Sequence, residues 1–192
     1  MLVGTVAGVA IFDSPPEVRG ADVDPVELLA EMDDLPKVSF IRVAEKKGAA
    51  SRDPYWGAES SAARGWGVRH DYYLFDERVL KFSDEASAKA EFQMAPYGRV
   101  FNDSIYLDIV RPVNLTAEGL RADSASLGCM DWYDEREPSC FAWAFYGRYG
   151  RYLVEITFSS DRDPDFKRGL RQDDFLMVVK GVDRRIAGLG IN

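Results

Sequence analysis

The segment 140–160 constrains the fold more than any other part of the chain. It reads CFAWAFYGRYGRYLVEITFSS and contains two stretches in which large apolar residues recur at every second position. Side chains of a strand alternate between two faces, so this period predicts two half-buried strands, joined by a turn at 147–150. The alternating residues are Phe141, Trp143 and Phe145, then Tyr152, Val154, Ile156 and Phe158 opposite Glu155 and Thr157.

Three segments have the signals of helices. Asp24 is placed as the N-cap of a short helix with Pro25 at its first position, and Ser83 is placed as the cap of a second helix with Ala88 and Phe92 on one face. The third helix follows Asp173 and Asp174 and ends near Gly188 and Gly190. Its apolar stripe comprises Phe175, Val178, Val179, Val182 and Ile186.

Further strands are predicted at 37–43, at 68–82 with a possible break at Asp76 and Glu77, and at 104–110. The stretch 44–67 is rich in Gly, Ala, Ser, Lys and Arg and is predicted to be the least ordered internal segment. Successive strands with only three helices predict an α+β fold, an antiparallel β-sheet covered on one face by helices. With 192 residues, we expect a single domain over 21–192.

The N-terminal residues 1–20 have two interpretations. Residues 2–12 are apolar and precede a proline-broken polar linker, but they are too few to span a bilayer, which needs about 20 apolar residues. They are either a buried strand or the tail of an export or anchor segment, and the second interpretation is favoured. We therefore expect an extracytoplasmic location, secreted or held by a membrane anchor at the N-terminus.

The chain has two cysteines, Cys129 and Cys140, each at the edge of an apolar or aromatic run. This arrangement predicts two strands facing each other across a loop, where a disulfide can form. Closing so short a loop stabilises a domain by roughly 2.5–3 kcal/mol in the chain-entropy model. The alternative is a buried, reduced pair in a cytoplasmic protein. One histidine cannot complete a zinc site, and we expect neither a metal nor another cofactor.

The net charge and the titratable residues argue against nucleic-acid binding and against a recognisable catalytic or calcium site. A net charge of −8 repels a phosphate backbone, so no nucleic-acid partner is expected. His70 is more typical of a surface or strand-edge residue than of a general base. The acid pairs lack calcium-loop spacing and are typical of solvated charges and helix caps. No residue is assigned a catalytic role. The acid pairs with this solvated character are Asp33 with Asp34, Asp134 with Glu135, and Asp173 with Asp174.

Aromatic residues mark the candidate binding surface. Trp132 and Tyr133 lie between the two cysteines in a short charged loop, and Tyr55 with Trp56 is a candidate second wall of the same surface. Rigid aromatic side chains surrounded by charge are typical of interface hot spots. The alternative is that Trp132 folds back onto the sheet as a lid.

Three features resemble a known group of domains: VLKFSDEASAKAEF, the Cys-loop-Cys hairpin and FLMVVKGVDRRI. Over residues 70–187 they resemble uncharacterised secreted, lipoprotein and membrane-anchored domains of actinobacteria. The sheet of those domains is similar to that of PsbP/Mog1-like proteins and of sensor domains outside some bacterial serine/threonine kinases. The resemblance implies a helix-covered antiparallel sheet, and it carries over no active-site residue.

Two functions follow as expectations. The first is a non-catalytic extracytoplasmic binding or sensor domain that contacts a protein partner or a cell-envelope component. The second is a cell-envelope hydrolase with a carboxylate-based site. A pair of carboxylates with pKa values pushed apart would favour the second function.

Overall fold

The computed structural model describes residues 22–31, 46–47, 57–67, 74–94, 110–113, 119–131, 140–159 and 172–191. These ranges contain the predicted three helices together with seven strands. In chain order the elements are α1 (Pro25–Leu28), β1 (Lys46–Lys47), β2 (Ser60–Gly67), β3 (Leu74–Lys81), α2 (Glu85–Met94), β4 (Val110–Val113), β5 (Ser124–Asp131), β6 (Cys140–Tyr149), β7 (Tyr152–Ser159) and α3 (Gln172–Gly188).

The strands form one antiparallel sheet in the order β1-β2-β3-β7-β6-β5-β4. Each described pairing is antiparallel. The pairs β2–β3, β3–β7, β7–β6 and β6–β5 each extend over eight positions. The prediction of an α+β fold with an antiparallel sheet and helices is confirmed.

The central hairpin is the one predicted from the alternating aromatic residues. Trp143 is the Cα partner of Phe158, and Phe145 is the partner of Ile156. The predicted turn is too long, because Gly147 lies inside β6 opposite Val154. The chain reverses at Gly150, whose φ of 55° is in the left-handed region that favours glycine.

One face of the sheet is covered by α3 and α1. The predicted stripe of α3 is confirmed, because its five residues are all buried against apolar side chains of the strands. Leu28 of α1 and Leu29, which follows it, join the same cluster. Asp24 caps this helix as predicted by accepting a hydrogen bond from the Val26 N–H. This cluster is the main core, and it contains Phe145, Val154 and Ile156 from the central hairpin.

α2 packs against the opposite face. Ala88 and Phe92 share one side of this helix, as predicted, and meet Leu80, Leu153 and Tyr146 in a smaller apolar cluster. The Phe92 and Tyr146 rings stack with centroids 5.3 Å apart. The sheet therefore has helices on one face and a further helix on part of the other.

Three local predictions are wrong. The stretch 44–67 contains β2, whose small residues Ala62 and Gly65 allow close packing despite low strand propensity. β3 is continuous through Asp76 and Glu77, because both residues pair with β2 and β7, and a hydrogen bond from the Ala30 N–H compensates the burial of Glu77. The cap of α2 is Asp84 and not Ser83. The Ser87 N–H donates to the Asp84 carboxylate at 2.7 Å, and the hydroxyl of Ser83 donates to the same group.

Other predictions lie outside the described residues. They concern the N-terminal 1–20, the strand at 37–43 and most of the strand at 104–110, of which Val110 alone is described, at the start of β4.

Candidate functional site

The four aromatic residues of the predicted binding surface, Trp132, Tyr133, Tyr55 and Trp56, lie outside the described residues. Cys129 lies in β5 with a 1% exposed side chain. Cys140 is the first residue of β6. The described strands therefore fix where the loop between the two cysteines begins and ends.

The ends of the loop 132–139 are neighbours in the sheet. Asp131, the last residue of β5, is the Cα partner of Cys140, and a register shift at Met130 and Asp131 makes this pairing possible. Cys129 is instead the partner of Trp143. The two cysteines are thus offset by two residues of β5, rather than directly opposite as the sequence pattern indicated.

The second aromatic pair adjoins the other end of the sheet. Gly57 follows Trp56, and the N–H of Glu59 donates to the Lys81 carbonyl at 2.8 Å. Lys81 ends β3 and is level with Tyr152 at the start of β7. Asp131 and Cys140 lie at the opposite end of the strands. The described flanks of the two aromatic pairs do not converge, so the proposal below rests on Trp132 and Tyr133.

Two buried charged residues lie next to each other beneath α1. Arg64 of β2 and Glu77 of β3 are Cα partners and are 6% and 1% exposed. The N–H of Ala30 donates to Glu77 Oε2 at 2.8 Å, and Arg64 Nη1 donates to the Ala30 carbonyl at 2.5 Å. Arg64 also pairs with Glu31 at 3.1 Å. Buried charges persist where hydrogen bonds and opposite charges compensate them, and here they fix the chain after α1.

Residues 22–31 form a segment that we call the N-terminal strap. Its first residue, Asp22, pairs with Lys81 at 2.5 Å and with Arg151 at 2.6 Å. The hydrogen bond from Lys81 lowers the pKa of Asp22, and the same bond raises the pKa of Lys81. The Tyr152 hydroxyl accepts from the Val23 N–H at 2.8 Å and donates to the Val23 carbonyl at 2.9 Å. The strap is therefore held at both ends.

A second buried carboxylate joins α3 to the hairpin. The Tyr149 hydroxyl donates to Asp183 Oδ1 at 3.0 Å, and the Arg121 N–H donates to the same oxygen at 2.9 Å. Burial raises the pKa of Tyr149, and the Asp183 carboxylate raises it further. Tyr149 consequently stays a neutral donor, and the Asp183 carboxylate serves to bind these two groups.

The opposite face of the sheet carries a different charged group. Arg78 Nη1 and Glu155 Oε2, on paired strands, are 3.3 Å apart, with Glu155 buried. Asp76 lies two residues before Arg78 on β3. Its Oδ1 lies so close to β2 that a Cβ on Gly65 would be 2.8 Å away. Asp76 is exposed as a residue, but partial desolvation of its carboxylate beside this backbone raises its pKa, although Arg78 opposes the shift.

Metal binding and membrane crossing are two further features on which the described ranges bear. Those ranges hold no group of three or more His, Cys, Asp or Glu side chains arranged to bind a metal ion. Their helices include none with the length and apolar character needed to cross a membrane. The described ranges do not include His70, the pair Asp33 and Asp34, or the pair Asp134 and Glu135. Asp173 is exposed on α3.

The class that these observations define is an α+β domain with a seven-stranded antiparallel sheet in which several charged residues are buried and hydrogen-bonded. No protein-family model matches the chain, and comparison with curated proteins and with solved structures gives no match.

Sequence reasoning missed the buried charges. Glu77 lies two residues before the buried Val79 and therefore on the same face of β3. At this position the alternation predicts an apolar side chain, but the residue is an acid. From sequence alone, this same acid predicts a break in the strand instead. Arg64 and Asp183 gave no comparable signal, because their partners are distant in sequence.

Proposed function

We propose that the chain is a non-catalytic binding or sensor domain that works outside the cytoplasmic membrane. It contacts a protein partner or a cell-envelope component through the loop 132–139. The observation that carries this proposal is the pairing of Asp131 with Cys140, which brings both ends of an aromatic, charged loop to one place on a rigid sheet. A loop with fixed ends loses less conformational freedom when it binds, and this favours affinity.

The composition of the loop supports the same function. Trp132 and Tyr133 stand among Asp131, Asp134, Glu135, Arg136 and Glu137. Aromatic anchors dominate the binding energy of many interfaces, while surrounding polar groups exclude water and select the partner. The negative charge of the loop favours a partner surface that carries basic groups.

A disulfide between Cys129 and Cys140 belongs to this proposal. Cys140 pairs with a residue only two positions from Cys129, and the described residues include no free cysteine. A covalent link at the base of the loop would restrict the loop further and would fit an oxidising compartment. The extracytoplasmic location is proposed on the same basis, and the N-terminal membrane anchor is proposed from the apolar residues 2–12.

The test compares binding with folding in matched variants. Purified protein is sedimented with isolated bacterial cell envelopes, and the fraction bound is measured against envelope concentration. Changing Trp132 and Tyr133 together to Ala should weaken binding more than tenfold, which corresponds to about 1.4 kcal/mol, and should leave the melting temperature nearly unchanged. The matched control changes Met94 and Met177, exposed apolar residues on helices, to Ala and should bind like the wild type.

Two outcomes contradict the proposal. Binding that is the same in the loop variant and the wild type would exclude the loop as the contact. A loss of stability of about 3 kcal/mol or more would show instead that Trp132 is buried as a lid on the sheet.

A carboxylate-based hydrolase is the second candidate, and Asp76 is the observation that favours it. A general acid needs a raised pKa, and Asp76 has one on the same sheet face as the buried Glu155. If this site is catalytic, protein should release soluble fragments from isolated envelopes, and Asp76→Asn should abolish that release while leaving the melting temperature near that of the wild type. Absence of release by the wild type would exclude hydrolysis of that material.

A further inference from the structure

The pairing of β5 with β6 contains one extra residue on β6, next to the loop 132–139. Met130 is the Cα partner of Ala142, and the next residue of β5, Asp131, is the partner of Cys140. Phe141 therefore has no partner on β5 in this pairing, which is the arrangement of a β-bulge. A bulge leaves its extra residue outside the ladder and bends its strand, so other interactions must offset its cost.

The register shift decides the face of the sheet on which the position of Cys140 lies. Cys140 is the partner of Asp131, which stands two residues after Cys129 on β5. Positions two apart on a strand share a face, and directly paired positions also share one. The position of Cys140 is therefore on the face of Cys129, whose side chain is buried in the main core cluster.

A regular ladder would separate the two cysteines. If the pairing continued without a shift, Asp131 would be the partner of Phe141, and Trp132 would be the partner of Cys140. That change of one residue moves the position of Cys140 to the opposite face of the sheet from Cys129. Two cysteines whose Cβ atoms point apart cannot be bridged. A disulfide between Cys129 and Cys140 therefore requires the bulge.

The disulfide in turn stabilises the bulge. A link between Cys129 and Cys140 excludes the regular register, because that register places the two positions on opposite faces. Without the link, the regular register gains one residue pair and removes the disruption of the ladder. No cysteine of the described residues is free, which agrees with the linked state. Opening the disulfide therefore favours a one-residue change of register at this end of the sheet.

We propose that the bulge between β5 and β6 is a redox-dependent register switch at the base of the loop 132–139. The disulfide and the effect on binding rest on the function proposed above. In the oxidised state the bulged register leaves Trp132 in the loop. A dithiol reductant supplies two electrons and two protons, so the Cys129–Cys140 bond breaks into two thiols and the dithiol closes into a disulfide. The reduced chain takes the regular register, in which Trp132 leaves the loop and pairs with Cys140.

The register is measured directly by nuclear magnetic resonance, since close contacts between backbone protons identify opposite residues in antiparallel strands. In the oxidised wild type, Asp131 should contact Cys140. After complete reduction with dithiothreitol, confirmed by titration of two thiols per chain, Asp131 should contact Phe141 instead. An unchanged contact between Asp131 and Cys140 in the reduced protein would overturn the proposal, and so would two titrated thiols before reduction.

Two variants fix the register independently of the reductant. Changing Cys129 and Cys140 together to Ala removes the link, so Asp131 should contact Phe141 with or without dithiothreitol. Deletion of Phe141 removes the extra residue, so Asp131 should keep its contact with Cys140 after reduction. A register that responds to dithiothreitol in either variant would contradict the switch. The wild type and the Ala variant test the proposal without the shortened chain, in case that chain does not fold.

Sedimentation with cell envelopes then measures the effect on the loop. Reduction should weaken binding of the wild type by about tenfold, because the anchor Trp132 leaves the loop. Binding by the chain without Phe141 should not respond to reduction. Equal binding by the oxidised and reduced wild type, with the register change observed, would overturn control of the loop by the switch. Absence of binding by the oxidised wild type would contradict the proposed function, whereas the register measurement, made without envelopes, would still decide the switch.

Discussion

Gly147 provides a sharp test of how the core is packed. It lies inside β6, where its φ is ordinary for any residue, so a larger side chain would meet a steric obstacle and not a backbone restriction. A Cβ at this position would be 2.7 Å from Cζ of Phe145 and 3.1 Å from Cε2 of Tyr149. Both rings are buried and have little room to move, with exposures of 0% and 1%.

Two opposing effects determine the result of Gly147→Ala. Overpacking a core costs roughly 1–3 kcal/mol. Replacing glycine by alanine inside a regular element gains roughly 0.5–1 kcal/mol, because the unfolded chain has less entropy. The steric cost is larger, so we expect the free energy of unfolding to fall by about 1–2 kcal/mol. For a chain of this size the melting temperature should fall by about 2–8 °C.

The assay is urea denaturation followed by tryptophan fluorescence, with two control variants. Gly188→Ala meets nothing within 4 Å at the end of α3 and should be neutral or stabilising. Gly65→Ala meets only the outer end of Asp76, which can rotate away, and should cost less than Gly147→Ala. If Gly147→Ala proved as stable as the wild type, the packing of Phe145 and Tyr149 described above would be wrong.

Three further predictions concern capping, a buried hydrogen bond and the cysteines. Asp84→Ala should lower the melting temperature at neutral pH, because hydrogen bonds at the start of α2 lower the pKa of Asp84. The difference from the wild type should be full above the ordinary pKa of about 3.8 and should vanish as the pH falls through the lower native value. Tyr149→Phe should cost about 1–3 kcal/mol in urea denaturation, since it removes a donor from buried Asp183. Thiol titration in denaturant without reductant should find no free thiol, and two titrated thiols per chain would exclude the disulfide. Reduction should lower the free energy of unfolding by roughly 2.5–3 kcal/mol.

Much of the fold is predictable where apolar periodicity and burial agree. The β6–β7 hairpin and the buried stripe of α3 are of this kind, because each repeats one period over several turns or residue pairs. β2 is the contrary case. Its Ser, Ala and Gly residues carry little strand propensity, and its pairing with β3 and the buried Arg64 arises from contacts distant in sequence.

The candidate site was likewise predictable from sequence only in part. The position of the loop 132–139 between two strands follows from sequence, because the apolar runs on either side predict the hairpin. The two-residue offset of the cysteines does not, since a register shift depends on how the whole sheet packs. The backbone contacts of the strap were also missed, because hydrogen bonds to main-chain atoms leave no residue pattern at the strap itself.

The most direct test of the proposed binding loop is the exposure of Trp132. Iodide quenching is measured on the wild type and on Trp132→Phe, and the difference isolates this residue from Trp56, Trp66 and Trp143. We expect a strongly quenched difference spectrum, because an aromatic anchor open to a partner is also open to iodide. A difference spectrum with no quenchable component would show that Trp132 is buried and would contradict the loop as a binding surface.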